Sequence, residues 1–194
     1  SLKTGKELVK AEKSMQNLLE DSVNRTNTKI WVMLCDILMK QYEQGNEKLY
    51  LKQQYDTAAF FSVTKRMYET MAKFDSIDAH LNMPSPVLPK YRERHAQFLN
   101  SIRPNLFNGG TYFLHVKDYK TAYDYFDNYI KTDKQSLFIG YDYEHKDDLM
   151  PHAAYWAMYC GYKLGDTEKT MRYLNLAERD SSMLNFVRQY EASA

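Results

Sequence analysis

His80, His95, His115, His145 and His152 are the side chains best suited to acid–base chemistry near neutral pH or to metal ligation. No two of them stand four residues apart, so no His-x-x-x-His pair sets two ring nitrogens on one helical face, as a zinc-binding helix requires. Exposed or helix-capping histidines are the better reading. Asp142, Glu144, Asp147 and Asp148 surround His145 and form the one acidic cluster able to attract a cation. It lacks the glycine and the regular oxygen spacing of a calcium loop, so a solvated loop is expected. Cys35 and Cys160 sit in apolar helical patterns and read as buried free thiols rather than a disulfide. Gly109-Gly110 lies inside a helical pattern without any phosphate-loop sequence around it, and Lys90 to His95 reads as one exposed helix face. No nucleophile, base and orienting group converge, and the expectation is a non-catalytic chain without metal or cofactor.

Charge and composition narrow the partners. Twenty-six basic residues against 25 acidic leave a net charge of +1, without the broad positive field that nucleic-acid binding needs. The apolar stretch Ile30 to Leu38 is interrupted by Asp36 and is too short to span a bilayer. Seven glycines and five prolines are few, which argues against a many-turned sandwich and against disorder. The opening Ser1-Leu2-Lys3-Thr4 lacks an apolar leader and resembles a trimmed start, so the compartment and oligomeric state stay open.

The elements that position these residues read as helices throughout. Leu8, Val9, Ala11, Met15, Leu18 and Leu19 give a first amphipathic helix over Thr4 to Leu19. After cap residues at Asp21 to Asn27, a second face follows at Ile30, Trp31, Leu34, Cys35, Leu38 and Met39, interrupted at Gly45-Asn46 by a kink or short turn. Asp56 caps a third helix that reaches about Ile77. Pro84, Pro86 and Pro89 mark a loop near 80–89. Helix resumes at Lys90, and Pro104 either opens a new helix or kinks a continuous one, the former being preferred. Asn105 to Val116, Lys120 to Ile130, Pro151 to Leu164, Thr167 to Arg179 and Ser182 to Tyr190 follow, with a long connection at 132–150 in which Leu137 to Ile139 is briefly extended. The reading is a single all-α domain over 1–194 with about eight helices.

Leu106, Gly110, Phe113, Asp118, Tyr119, Ala122, Phe126 and Ile130 fall on successive positions of a helical hairpin in which small residues permit close helix approach and large ones fill the gaps. This run, near 103–132, resembles a unit of the tetratricopeptide repeat family, whose period is about 34 residues. It departs at Lys117, where the family prefers glycine, and at Tyr129, where it prefers alanine. A second unit near 151–179 has Gly165-Asp166 at its turn, with Met158 and Gly161 exchanging the usual small and aromatic roles. An eroded third unit near 27–79 carries Trp31, Leu34, Cys35 and Leu38, then Tyr55 and Ala58. The turns at Asp118 and Asp166 lie further apart than one period, which puts an insertion in 132–150. Phrases such as Lys52 to Ala58 and Arg103 to Gly110 are also similar to exported tetratricopeptide proteins of Bacteroidetes bacteria.

The resemblance implies a right-handed superhelical stack of antiparallel hairpins, a protein- or peptide-binding scaffold, and an N-terminal piece of a larger protein of the cell envelope or periplasm. It also implies a concave surface lined by the first helix of each hairpin. On that register the candidate partner-binding residues are Phe107, Asn108, Thr111, Leu114 and His115, then His152, Tyr155, Trp156, Tyr159, Tyr162 and Lys163. The second set either forms an aromatic peptide groove or is covered by a neighbouring helix, with covering favoured. Asn108 and Lys163 stand alone, so the family's clamp for a C-terminal carboxylate is not reproduced. A structural module supporting a C-terminal region, or a carbohydrate-binding envelope protein, are the alternatives.

Overall fold

The computed structural model describes residues 4–81 and 89–193, so Pro84 and Pro86 lie outside the described residues. The chain is all-helical, with eleven α-helices and no strand among the described residues. It divides into two compact units, Ser1–Ser101 and Ile102–Ala194.

In the first unit, α1 (Gly5–Glu20) starts on Thr4, whose hydroxyl accepts from the Glu7 amide at 3.3 Å while the Glu7 carboxylate accepts from the Thr4 amide at 2.9 Å. Asn27 caps α2 (Thr28–Tyr50) by accepting from the Lys29 amide at 3.1 Å. Contrary to expectation, α2 runs unbroken through Gly45-Asn46. Gly45 is a contact point rather than a breaker, because a Cβ there would lie 2.8 Å from the Tyr55 ring. Asp56 caps α3 (Thr57–Leu81), accepting from the Ala58 amide at 2.9 Å. Leu34, Cys35, Leu38, Val63, Met67, Met71 and Phe74 fill the core, and Trp31 stacks on Phe74 while donating its Nε1–H to the Arg25 carbonyl at 2.8 Å. α4 (Arg92–Ile102) is pinned to α3 by a two-pronged Arg92–Asp75 ion pair at 2.8 and 2.9 Å. The Tyr68 hydroxyl also donates to the Leu99 carbonyl.

The Lys90 to His95 run is therefore not one exposed face: Arg92 is engaged with Asp75, and His95 is buried against Phe74 and Tyr91. Burial pushes the His95 imidazole down to about 4, with Arg94 adding to the effect, so the ring is neutral near pH 7.

In the second unit, Pro104 occupies the first turn of a new helix, α5 (Pro104–His115), where its missing amide costs nothing. α6 (Tyr119–Lys131) packs against it, and α8 (Met150–Lys163) packs on α6. The 132–150 connection is built rather than loose. It holds two 3-10 turns, Thr132–Lys134 and Ser136–Phe138, and the short α7 (Tyr143–Lys146), so Leu137 and Phe138 are buried in a helical turn instead of being extended. The helix expected over Thr167 to Arg179 is broken into α9 (Thr167–Met171) and α10 (Leu174–Ala177). At the break, Tyr173 leaves helical geometry at φ −115° and its hydroxyl donates to Asp127 of α6. The last helix, α11 (Leu184–Ser193), packs on α8 and α10.

Candidate binding face

The α5–α6 and α8–α9 turns have the same hydrogen-bonded geometry. After α5, Lys117 turns left-handed at φ 61°, its amide donating to Leu114 at 3.1 Å and the Asp118 amide to Phe113 at 2.9 Å. After α8, Gly165 does the same at φ 65°, with Gly165 to Tyr162 at 3.0 Å and Asp166 to Gly161 at 3.0 Å. Asp118 and Asp166 then cap the following helices, accepting from the Thr121 amide at 3.1 Å and the Lys169 amide at 3.0 Å. In the first unit, α2 ends in the same way at Lys52, φ 55°, with Lys52 to Leu49 at 3.1 Å and Gln53 to Lys48 at 2.8 Å.

Counting back from these turns, Phe107, Asn108, Thr111, Leu114 and His115 on α5 correspond to Tyr155, Trp156, Tyr159, Tyr162 and Lys163 on α8. The structure joins the two sets through His152, whose ring stacks on Phe107 at 6.0 Å and meets the edge of Trp156 at 5.9 Å. Trp156 continues to Tyr159 at 5.6 Å, which in turn meets Tyr119 at 6.1 Å. His152 is held by Asp180 at 3.0 Å. The Asp180 carboxyl is kept below the usual carboxylate range, chiefly by the Ser182 hydroxyl and further by His152, against the cost of its burial.

The nominated residues separate into three kinds. Asn108, His115, Tyr162 and Lys163 are exposed. Phe107, Thr111, Leu114, His152, Trp156 and Tyr159 are half-buried, and Phe107, His152, Trp156 and Tyr159 form the ring-to-ring path. Tyr155 is 5% exposed and does not belong to the open face, because α11 lays Phe186 and Tyr190 over it at 6.5 and 6.3 Å. Tyr190 also reaches Tyr159 at 6.1 Å and Tyr162 at 4.9 Å, so α11 borders the face. Burial and the neighbouring Tyr155 push the Tyr190 hydroxyl up to about 12, which keeps it a neutral hydrogen-bonding group.

Beside this face stands a residue that sequence reasoning did not single out. Arg103 is buried with its guanidinium sandwiched between the rings of Tyr129 and Tyr143, at 3.8 and 3.7 Å from their centroids. It pairs with Asp147 and donates to Thr132 Oγ1 and the Tyr129 carbonyl, each at 3.1 Å, while the Tyr129 hydroxyl also donates to Asp147. Of the acidic cluster, Asp147 alone is drawn into this buried network; Asp142 and Asp148 stay exposed, as expected of a solvated loop. Glu144 is bridged to Lys134 at 3.1 Å and to Arg179 at 2.9 Å, and Asp142 meets His145 at 2.7 Å. Among the described residues, no group of three His, Cys, Asp or Glu side chains could hold a metal ion. Cys35 and Cys160 are both free and buried, and burial pushes each thiol up to about 12, so neither is a thiolate near neutral pH. Among the described residues, no helix is long and apolar enough to cross a membrane.

Comparison with protein-family models, with curated proteins and with solved structures gives no match.

Proposed function

We propose that the chain is a tetratricopeptide-type scaffold without catalytic activity, and that the α5–α8 face of its second unit binds an extended segment of a protein partner. The observation that carries this reading is the repetition of one turn and cap geometry at Lys117-Asp118 and Gly165-Asp166, with the first helices of both hairpins joined ring to ring from Phe107 to His152. Repeated hairpins that stack in one sense generate a continuous surface along their first helices. The face offers what peptide recognition uses: half-buried aromatic edges at Phe107, Trp156 and Tyr159, bordered by polar groups at Asn108, His115, Tyr162 and Lys163. On this reading the partner is a peptide rather than nucleic acid, since the net charge of +1 provides no field for a phosphate backbone.

The test is selection of peptides from a displayed random library against the whole chain, followed by titration of the winners into Asn108→Ala and Trp156→Ala variants. The reading expects affinity to fall at least about tenfold in Trp156→Ala, the loss of roughly 1.4 kcal/mol typical of a contact residue at a peptide interface. Selected peptides that bind both variants as tightly as the parent would remove this face from consideration.

A further inference from the structure

The first unit contains a cleft that plays no part in the face described above. Three helix faces converge on it, α1 contributing Val9, Glu12 and Lys13, α2 contributing Gln41 and Lys48, and α3 contributing Arg66, around a volume of about 670 Å³. That volume suits a small organic molecule. The cleft stays open because Gly5, Ala59 and Ser62 supply little side-chain volume to its walls, while Gly45 admits the Tyr55 ring.

Its floor is a finished polar network. The buried Glu12 carboxylate accepts from Gln41 at 2.8 Å, Gln16 at 3.0 Å, and Arg66 Nε and Nη2 at 2.8 and 3.2 Å. Glu12 and Arg66 thereby neutralise each other, and the charge left on the lining is that of Lys13 and Lys48. In a chain whose net charge is only +1, these two ammonium groups over one concave surface concentrate positive potential there, that of Lys48 standing 5.7 Å from the centre of the Tyr55 ring. The walls also carry apolar surface: Val9 is 57% exposed, and the Tyr55 ring closes the side next to Gly45.

We propose that this cleft binds a small organic carboxylate, its anionic end between Lys13 and Lys48 and its apolar body against Val9 and Tyr55. The Glu12–Arg66 network supplies a rigid floor that does not itself compete for the anion, since Arg66 is already spent on Glu12 and Ser62. An interaction of this kind is screened by salt, and binding weakens as ionic strength rises.

The experiment is calorimetric titration of the whole chain with phenylacetate, 3-phenylpropionate, phenylacetamide and inorganic phosphate. At least one of the two carboxylates is expected to bind in the millimolar range or tighter, with phenylacetamide at least about tenfold weaker. The exposed double substitution Lys13→Gln/Lys48→Gln is expected to lower carboxylate affinity at least about tenfold with helicity unchanged. Val9→Trp, which fills the mouth of the cleft from an exposed position, is expected to abolish binding. Three results would overturn the proposal: no binding by either carboxylate, amide binding equal to carboxylate binding, or full affinity retained in the lysine double variant. Phosphate binding as tightly as the carboxylates would also overturn it, replacing an organic ligand with an inorganic one. Failure here leaves the α5–α8 face untouched, because none of the substituted residues lies in the second unit.

Discussion

The hairpin of α5 and α6 and the hairpin of α8, α9 and α10 end their first helices with the same left-handed turn and start their second on the same aspartate cap, yet beneath the turn they are built differently. In the first, the glycine that permits close approach is Gly110, and a Cβ there would meet the Phe126 ring at 2.7 Å. In the second it is Gly161, one turn later, and a Cβ would meet the Thr170 backbone nitrogen at 2.5 Å. The first hairpin keeps its second helix whole, with Tyr125, Phe126 and Tyr129 buried along it. The second lets backbone approach backbone, and its second helix breaks at Tyr173. The same local turn thus serves two packing solutions, one that fills space with rings and one that removes the space.

The largest difference between them is the buried cation at the start of α5. Arg103→Met leaves the Asp147 carboxylate, still held by the Tyr129 hydroxyl, without its cation, and loss of one member of a buried ion pair costs about 3–5 kcal/mol. Denaturant unfolding should show this loss, and Asp147→Asn in the same chain should recover part of it by removing the stranded charge. A cost below about 1 kcal/mol would mean that Arg103 behaves as an ordinary surface arginine.

Next comes the pair of glycines. Gly161→Ala should cost about 3 kcal/mol even after the helix propensity gained by alanine, because two backbones must separate. Gly110→Ala should cost only about 1–2 kcal/mol, since its obstacle is a side-chain ring that can shift. Unfolding midpoints for the two variants decide it. Equal losses would erase the distinction between ring-filled and backbone-contact packing.

What could be read in advance follows from how local each determinant is. The caps at Thr4, Asn27, Asp56, Asp118 and Asp166 act within three residues of themselves, and the helix starts they set were legible. Gly45 was misread because a glycine that breaks a helix and a glycine that admits a ring look alike until Tyr55 is placed beside it. His95 and Arg103 were misread or missed because their burial depends on Phe74, Tyr129 and Tyr143, all distant in sequence. The register of the α5–α8 face was legible from the turns. Covering of the second set by a neighbouring helix was the favoured expectation and holds for Tyr155; that Trp156 would stay half-open was not legible, because the two are adjacent on one helix and only the angle of a later helix separates them.

A smaller effect distinguishes the hairpins by pH. The Asp180–His152 contact belongs to the second alone, and the Asp180 carboxyl is depressed chiefly by Ser182. A carboxyl whose folded value lies below its unfolded value stabilises the fold above the unfolded value and loses that contribution as pH falls through the folded one. Asp180→Asn should therefore cost about 1 kcal/mol at pH 7, and the difference from the parent should shrink below about pH 4. Unfolding midpoints of both proteins across pH 3 to 7 measure it, and a difference that stays constant over that range would remove the carboxylate's charge from the account.

The smallest effect acts on the turn that the hairpins share. Lys117 adopts φ 61°, a conformation that a side chain disfavours, whereas the equivalent Gly165 adopts φ 65° without that penalty. Lys117→Gly should stabilise the protein by about 0.5–1 kcal/mol, net of the greater freedom of glycine in the unfolded chain. Gly165→Ala should cost about 1 kcal/mol through backbone strain alone, because a Cβ there meets nothing within 4 Å. Opposite signs of similar size in thermal unfolding would establish that the two turns are energetically interchangeable. If Lys117→Gly instead destabilises, the lysine side chain contributes a contact that outweighs its strained backbone, and the equivalence of the turns is geometric only.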